Sequence, residues 1–464
     1  MMKKGILSLI IVSFFLAGCA GRVPILLKES TIQNGNYESI AKNLKKNEKD
    51  NLLWYLDAGI ISENAKDYPL SNYFFDKAEV KIKQYNKKVL AGNILANVGG
   101  ILTNDTFMDY KPKIYEGIMA NTYKGINFLR ENNIGNARVE FNRALERQRR
   151  AKSFFKVEIN QEKRKIHAQA EKTATEKKIN LSKIQKLSNN QKTKDAIGKI
   201  YSNLFAFKPY PDFINPFTSY ISGLFFMSVH NYAKAEDLFK ETYGMIKGNE
   251  TAAPYVKSDL KYAIKLASST RNNSKIHYLW IIFANGQGPS KKELRFDIPL
   301  FLITNKVYYA GIALPTLKEN LFAYSYLYIT DGNDTMDTKQ VASMDKIIKT
   351  EFKKRFPIIM ARAIARTVTQ STIQYELRER NGAMGGLLGA IYQDIMNRAD
   401  IRQWKLLPKN FQIAKIKLTS PTVSIYTPGH VKLIELNVDQ NANHIVFIRI
   451  PERNAKVVYD EVSF

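Results

Sequence analysis

Side chains able to do covalent, acid–base or metal chemistry are sparse in this sequence. There is one cysteine, Cys19, and five scattered histidines, His167, His230, His277, His430 and His444, with no HExxH and no tight pair. A single cysteine excludes a disulfide framework, a cysteine-based zinc site and an iron–sulfur cluster. No metal or cofactor is therefore expected. Hydrolytic chemistry would need paired carboxylates, a Ser–Lys pair or a nucleophilic thiol. Glu116 and Glu140 are the carboxylates that could face each other across one helical hairpin, although surface glutamates on helices are common. Basic side chains are the abundant polar resource. Lys and Arg number 70 against 43 Asp and Glu, a net charge of +27 over 464 residues.

The cysteine has a telling position. Lys3 and Lys4 precede an apolar run, Ile6 to Ala17, which ends in Leu16-Ala17-Gly18-Cys19. A membrane-crossing helix needs ~20 apolar residues, so this run suits the core of a signal peptide rather than a permanent span. The last four residues resemble a bacterial lipobox. A small residue before the scissile bond admits the peptidase, and the thiol takes a thioether-linked lipid. Cys19 is thus the expected lipid-attachment site, with residues 1–18 as signal peptide and 19–48 as linker. Ala20, not an aspartate, follows the cysteine. By resemblance to Gram-negative lipoproteins, this implies the outer membrane, facing the periplasm; in a Gram-positive cell the rule does not apply.

Between about 49 and 275 the sequence reads as helical hairpins with an internal repeat. Gly59, Ser71, Phe75 and Ala78 recur as Gly125, Ala137, Phe141 and Ala144, then as Gly223, Ala235, Phe239 and Thr242. In each set the small residue lies 12 positions after the glycine and the aromatic 16 positions after it. The pattern resembles the tetratricopeptide repeat, in which the glycine lets helix A approach helix B and the aromatic fills the space between them. The second set has no loop glycine before Gly135, and a polar turn, Glu131 to Asn136, occupies the hairpin position.

A basic, proline-free helical insertion is expected at about 146–200. From Arg143 to Lys192 there are 15 basic and 5 acidic residues. Arg147, Arg149, Arg150, Lys163, Arg164 and Lys165 form its densest parts and are candidate contacts to an anionic surface, either lipid head groups or a wall polymer. The alternative is a solvated helix face without a partner. Nucleic acid is not expected as a partner of an exported chain.

From 276 to 464 the period changes, giving an α+β chain overall. His277–Ala284, Leu294–Thr304, Lys306–Leu314 and Leu321–Thr330 read as strands, the last with Phe322, Tyr324, Tyr326 and Tyr328 on a core-facing side. Helices are expected at Thr338–Leu377 and Ala383–Arg398. Four or five further strands follow Phe411. The Gly-rich run from Gly382 to Gly389 suits close helix packing and lacks the Lys–Ser/Thr pair of a phosphate loop.

Several separated segments carry a wider resemblance: Leu102-Thr103-Asn104-Asp105, Tyr115-Glu116, Tyr123 with Asn127-Phe128-Leu129, and Ala137-Arg138-Val139-Glu140. The others are Asn285-Gly286, Lys291 with Glu293, and Ala399-Asp400 with Arg402, Trp404 and Leu407-Pro408. Together they resemble a family of uncharacterised bacterial envelope lipoproteins with tetratricopeptide-like repeats, often encoded beside lipoproteins similar to activators of penicillin-binding proteins. The resemblance implies a non-enzymatic interaction scaffold for other envelope proteins, near cell-wall assembly. A surface adhesin or a peptidoglycan-acting enzyme are the alternatives.

Overall fold

The computed structural model describes residues 34–92, 105–177, 195, 198–199, 201–207, 209–211, 213–268, 276–299, 309–332 and 334–464. Cys19, the signal run, Leu102-Thr103-Asn104 and residues 178–192 of the basic run lie outside them. The helices are α1 (Tyr37–Leu44), α2 (Leu52–Asn64), α3 (Tyr68–Leu90), α4 (Ile114–Arg130), α5 (Ile134–Lys177), α6 (Ser202–Ala206), α7 (Pro216–Ser228), α8 (Tyr232–Ile246), α9 (Ala253–Ser268) and α10 (Met344–Met396). The strands are β1 (Tyr278–Asn285), β2 (Ser290–Pro299), β3 (Tyr309–Lys318), β4 (Tyr328–Asp331), β5 (Asp334–Asp337) and β6 (Lys339–Ser343), then β7 (Asn410–Lys417), β8 (Thr422–Tyr426), β9 (Lys432–Asn437), β10 (His444–Ile450) and β11 (Val458–Ser463). The fold is α+β. No described helix is long and apolar enough to cross a membrane.

Three antiparallel hairpins, α2–α3, α4–α5 and α7–α8, are built alike. A β-carbon on Gly59 would lie 2.5 Å from the ring of Phe75; on Gly125, 2.9 Å from Phe141; on Gly223, 2.8 Å from Phe239. Ala78, Ala137, Ala144 and Ala235 are fully buried beside these contacts. The turns match as well. Lys66, Asn132 and His230, each seven residues after its glycine, have φ of 59°, 55° and 60°. The next residue's N–H then bonds five residues back, Asp67 to Ser62, Asn133 to Phe128 and Asn231 to Phe226. This is the left-handed helix stop that usually takes glycine, here made without one. Asn132 therefore fills the place for which the second hairpin lacks a glycine. Asn51, Asp67, Asn215 and Asn231 cap the N-termini of α2, α3, α7 and α8 with their side chains, which fixes where each of these helices starts.

The first helices of the hairpins form an inner layer: every residue of α7 is buried, as is nearly all of α2. What covers them is the five-stranded sheet β11-β10-β1-β7-β6. Strand β1 runs parallel to β10 and antiparallel to β7. Its alternation explains a strand apolar on both faces. Trp280 and Ile282 join the helical core, while Leu279, Ile281 and Phe283 join a second core against the sheet β5-β4-β8-β9. Phe411 of β7 stacks on Phe217 of α7 with ring centroids 3.5 Å apart. Trp404 sits against Phe75 and Tyr123 at 6.1 and 6.2 Å. Residue 276 thus marks a change of secondary structure and not a gap in packing. One apolar cluster runs from Tyr37 to Phe447.

Two readings of the second half change. Thr338 does not begin a helix, because Lys339–Ser343 pairs with β7 and α10 starts at Met344. Along 321–330 only Tyr328–Thr330 falls within strand β4, and the opposite parity is buried: Ala323, Leu327 and Ile329 enter the core, while Phe322 is 46% exposed. The aromatic stripe therefore does not form the core face: Tyr324 packs at the margin of the second core, and Tyr326 and Tyr328 are half-buried. The side with smaller apolar residues packs against β8 and β9. α10 breaks at Gly382, whose φ of 59° and ψ of −143° separate two helical stretches.

Candidate functional site

The basic run does not behave as one solvated face. α5 is 44 residues long, and a helix of that length shows its sides to different neighbours. Arg147 points inward: its Nε donates to Asn121 Oδ1 at 2.6 Å and its Nη2 to Glu79 at 3.1 Å. Lys124, 2% exposed, completes that network with Asp76 at 2.7 Å, Glu140 at 2.9 Å and Glu79 at 3.3 Å. Burial works against the Glu79 carboxylate, but Lys124 and Arg147 outweigh it and hold its pKa down to about 2. Lys165 is buried too, and desolvation lowers its pKa against the pull of Asp105. By contrast, Arg149, Arg150, Lys163 and Arg164 are exposed, and the first two pair with Glu146 on their own helix. Of the six basic residues, four can meet a surface outside the molecule, and Arg147 and Lys165 serve its interior.

Glu116 and Glu140 do not assemble as a carboxylate pair. Glu140 belongs to the Lys124 network and also accepts from Asn121 at 2.6 Å. Glu116 is engaged separately, accepting from Tyr110 Oη at 2.6 Å and from the Lys113 N–H at 2.8 Å. Burial raises its pKa.

A cleft of about 110 Å³ opens where α4, α5, α10, β2 and β3 meet. Along α10, Glu351, Arg355, Ile359, Arg362 and Arg366 recur at helical spacing and line it. Lys111 and Lys113 enter from the segment before α4, Lys291 from β2, and Asp400 and Arg402 from the loop before β7. Ile348, Phe352, Ala313 and Pro315 supply an apolar wall.

The carboxylates here are already committed. Asp105 accepts from Arg362 at 3.0 Å and Arg366 at 2.7 Å. Glu162 accepts from Lys111 at 2.5 Å and from Arg362. Asp400 pairs with Arg402 at 2.9 Å. Glu351 accepts from Arg355 at 2.7 Å and from the Ile114 N–H at 2.9 Å, capping α4. Burial alone would raise the Asp105 carboxyl, but Arg362, Arg366 and Lys111 hold it well below the usual range.

Two ammonium groups stand outside this pairing. Lys113 Nζ donates to the Lys111 carbonyl at 2.8 Å, and Lys291 Nζ to the Arg402 carbonyl at 3.0 Å. Neither has a described carboxylate within ion-pair distance. Desolvation, with Arg355 and Lys291 adding repulsion, brings the Lys113 pKa down to about 8. Desolvation lowers Lys291 as well. Among the described residues no cluster of His, Cys, Asp and Glu could hold a metal ion.

No protein-family model, curated protein or solved structure matches this chain. The cleft was not visible as a site in the sequence, although Asp105, Tyr115, Lys291, Asp400 and Arg402 all lie in segments singled out there. The signal that could have shown it was the cationic stripe at 355, 362 and 366, seven and four residues apart, on one side of α10.

Proposed function

We propose that the chain is a lipid-anchored envelope protein, held through Cys19 on the periplasmic side of the outer membrane. It works there as a non-enzymatic scaffold for other envelope proteins engaged in cell-wall assembly. The shared build of the three hairpins, with glycine against aromatic and a left-handed turn at one register, supports reading them as tetratricopeptide-like repeats. In such repeats the first helices commonly face a partner across a concave surface. Here the chain's own sheet covers that layer, with Phe411 on Phe217 and Trp404 between hairpins one and two. This closure carries the proposal about where partners bind: they meet the outer helices, where α5 presents Arg149, Arg150, Lys156, Lys163 and Arg164 to solvent.

The anchor is tested by Cys19→Ser, which should abolish incorporation of labelled palmitate and leave an uncleaved precursor or a chain lost from membranes on salt washing. Labelling that persists in the variant would remove the anchor. The outer surface is tested by reversing Arg149, Arg150, Lys163 and Arg164 to glutamate. Sedimentation with anionic vesicles or wall fragments should fall at low salt and converge with wild type at high salt, because exposed charges act over ~8 Å at physiological ionic strength. Unchanged binding at low salt would mean that the exposed cations are composition without a partner.

A further inference from the structure

We infer that the cleft between α4, α5, α10 and the β2–β3 ribbon binds a small ligand bearing a phosphate-class dianion, with its apolar portion against Ile348, Phe352 and Pro315. The inference stands apart from the scaffold proposal and needs no partner protein.

Its first support is an imbalance of donors and acceptors. An ammonium carries three N–H donors, and Lys113 and Lys291 each spend one on a backbone carbonyl. Arg366 is 3% exposed and makes two hydrogen bonds through its terminal nitrogens, yet its Nε has no acceptor. The Nε of Arg362 is likewise buried and unmatched. An unmatched buried donor costs ~1–3 kcal/mol, more when charged. The two arginine Nε atoms carry this deficit, and the half-buried Lys113 and Lys291 line the same cavity with N–H donors to spare. The nearby acids do not repair it: Asp105, Glu162, Glu351 and Asp400 accept from other arginine nitrogens or from Lys111, Glu116 accepts from Tyr110 and the Lys113 N–H, and none of them bonds to these free donors. Asp109 is exposed at the rim.

The second support is charge and size. Lys113 and Lys291 are the cations here with no carboxylate partner, and two positive charges call for a dianion rather than a carboxylate. A tetrahedral oxyanion also offers several acceptors at once, which suits donors converging from three elements. The cleft of about 110 Å³ is partly open to solvent, so an oxyanion can sit among the cations while the apolar portion of its carrier lies along Ile348, Phe352 and Pro315. Oxyanion sites commonly use a helix N-terminus, but Glu351 already occupies that of α4. The ligand must therefore rely on side chains.

The test uses the full chain in a neutral detergent. Inorganic phosphate and dihexanoyl phosphatidic acid are titrated separately by calorimetry, with acetate as the monoanion control. Binding of phosphate alone identifies a free ion, and stronger binding of the phosphatidic acid identifies a lipid-type phosphomonoester. Either supports the shared chemistry. Lys113→Gln and Lys291→Gln should each weaken binding at least tenfold. Without ligand, both variants should melt within a few degrees of wild type, because each lysine is desolvated and has no carboxylate within ion-pair distance to offset that cost. A measurement on the wild type alone keeps the inference exposed should a variant misfold. Phosphate should protect Lys113 and Lys291, but not exposed Lys163, from an amine-acylating reagent read by mass spectrometry. Acetate binding as tightly as phosphate, no binding of either phosphate probe, or acylation of the two lysines unaffected by phosphate would overturn it.

Discussion

Arg147 and Arg149 stand two residues apart on α5 and meet opposite surroundings. Arg147→Glu would remove the cation facing Glu79 and place a third carboxylate beside Glu79 and Glu140. Breaking a buried ion network in this way costs ~3–5 kcal/mol, so denaturant midpoints should fall sharply. Arg149→Glu, on the exposed side, should stay within ~0.5 kcal/mol of wild type. Equal shifts would contradict the inward and outward division of the helix.

Asp57 offers a second test at this scale. It is buried in α2 with Oδ1 unpartnered. Desolvation outweighs Lys405 and the backbone amides of Lys405 and Leu406, and raises its pKa from 3.8 to about 7. Its contribution is therefore complete below pH ~4, where both states are protonated, and is lost as pH rises towards 7. Asp57→Asn should match wild type near pH 4 and become the more stable protein by pH 7, by roughly a few kcal/mol at most. A stability difference that does not vary between pH 4 and 7 would show that Asp57 titrates normally.

At the scale of elements, the hairpins were legible because their rule is local. A glycine, a small residue and an aromatic at fixed offsets describe one helix lying on the next, and the offsets survive the long insertions between copies. The left-handed turn was not legible, since Lys66, Asn132 and His230 are chemically unlike and share only a backbone conformation. Strand parity at 321–330 failed for a different reason. Aromatic and small apolar residues alternate there, and only the facing sheet decides which set is covered.

Gly223→Ala should destabilise by ~1–3 kcal/mol because its β-carbon would meet the Phe239 ring at 2.8 Å. Gly135→Ala, in the first turn of α5 with nothing within 4 Å, should be neutral or stabilising by up to ~1 kcal/mol. Thermal melts of the two variants that shifted alike would argue against the shared glycine–aromatic contact. The cleft shows the limit of sequence reading in physical terms. Its side chains come from positions 105 to 402, and their meeting depends on α10 packing across α4 and α5, which no local spacing encodes.

For the whole molecule, the consequence is that the helical and sheet portions share a core. Trp404 is 1% exposed and bridges Phe75 and Tyr123 across hairpins one and two. Trp404→Ala should cost ~3–5 kcal/mol and lower the unfolding midpoint of both portions together, followed by far-UV and tryptophan signals. Loss confined to one portion would indicate two bodies that melt separately. The account turns on the inner helical layer being closed by the chain's own sheet, so that partners bind outside. Site-specific photo-cross-linking in cells tests this most directly, with p-azidophenylalanine at Lys156 or Arg164 on the exposed side of α5, and at Tyr123 or Phe411 under the sheet. Heavier adducts from the α5 positions, with only uncross-linked chain from Tyr123 and Phe411, are the predicted result. Partner adducts from Tyr123 or Phe411, or none from α5, would contradict it.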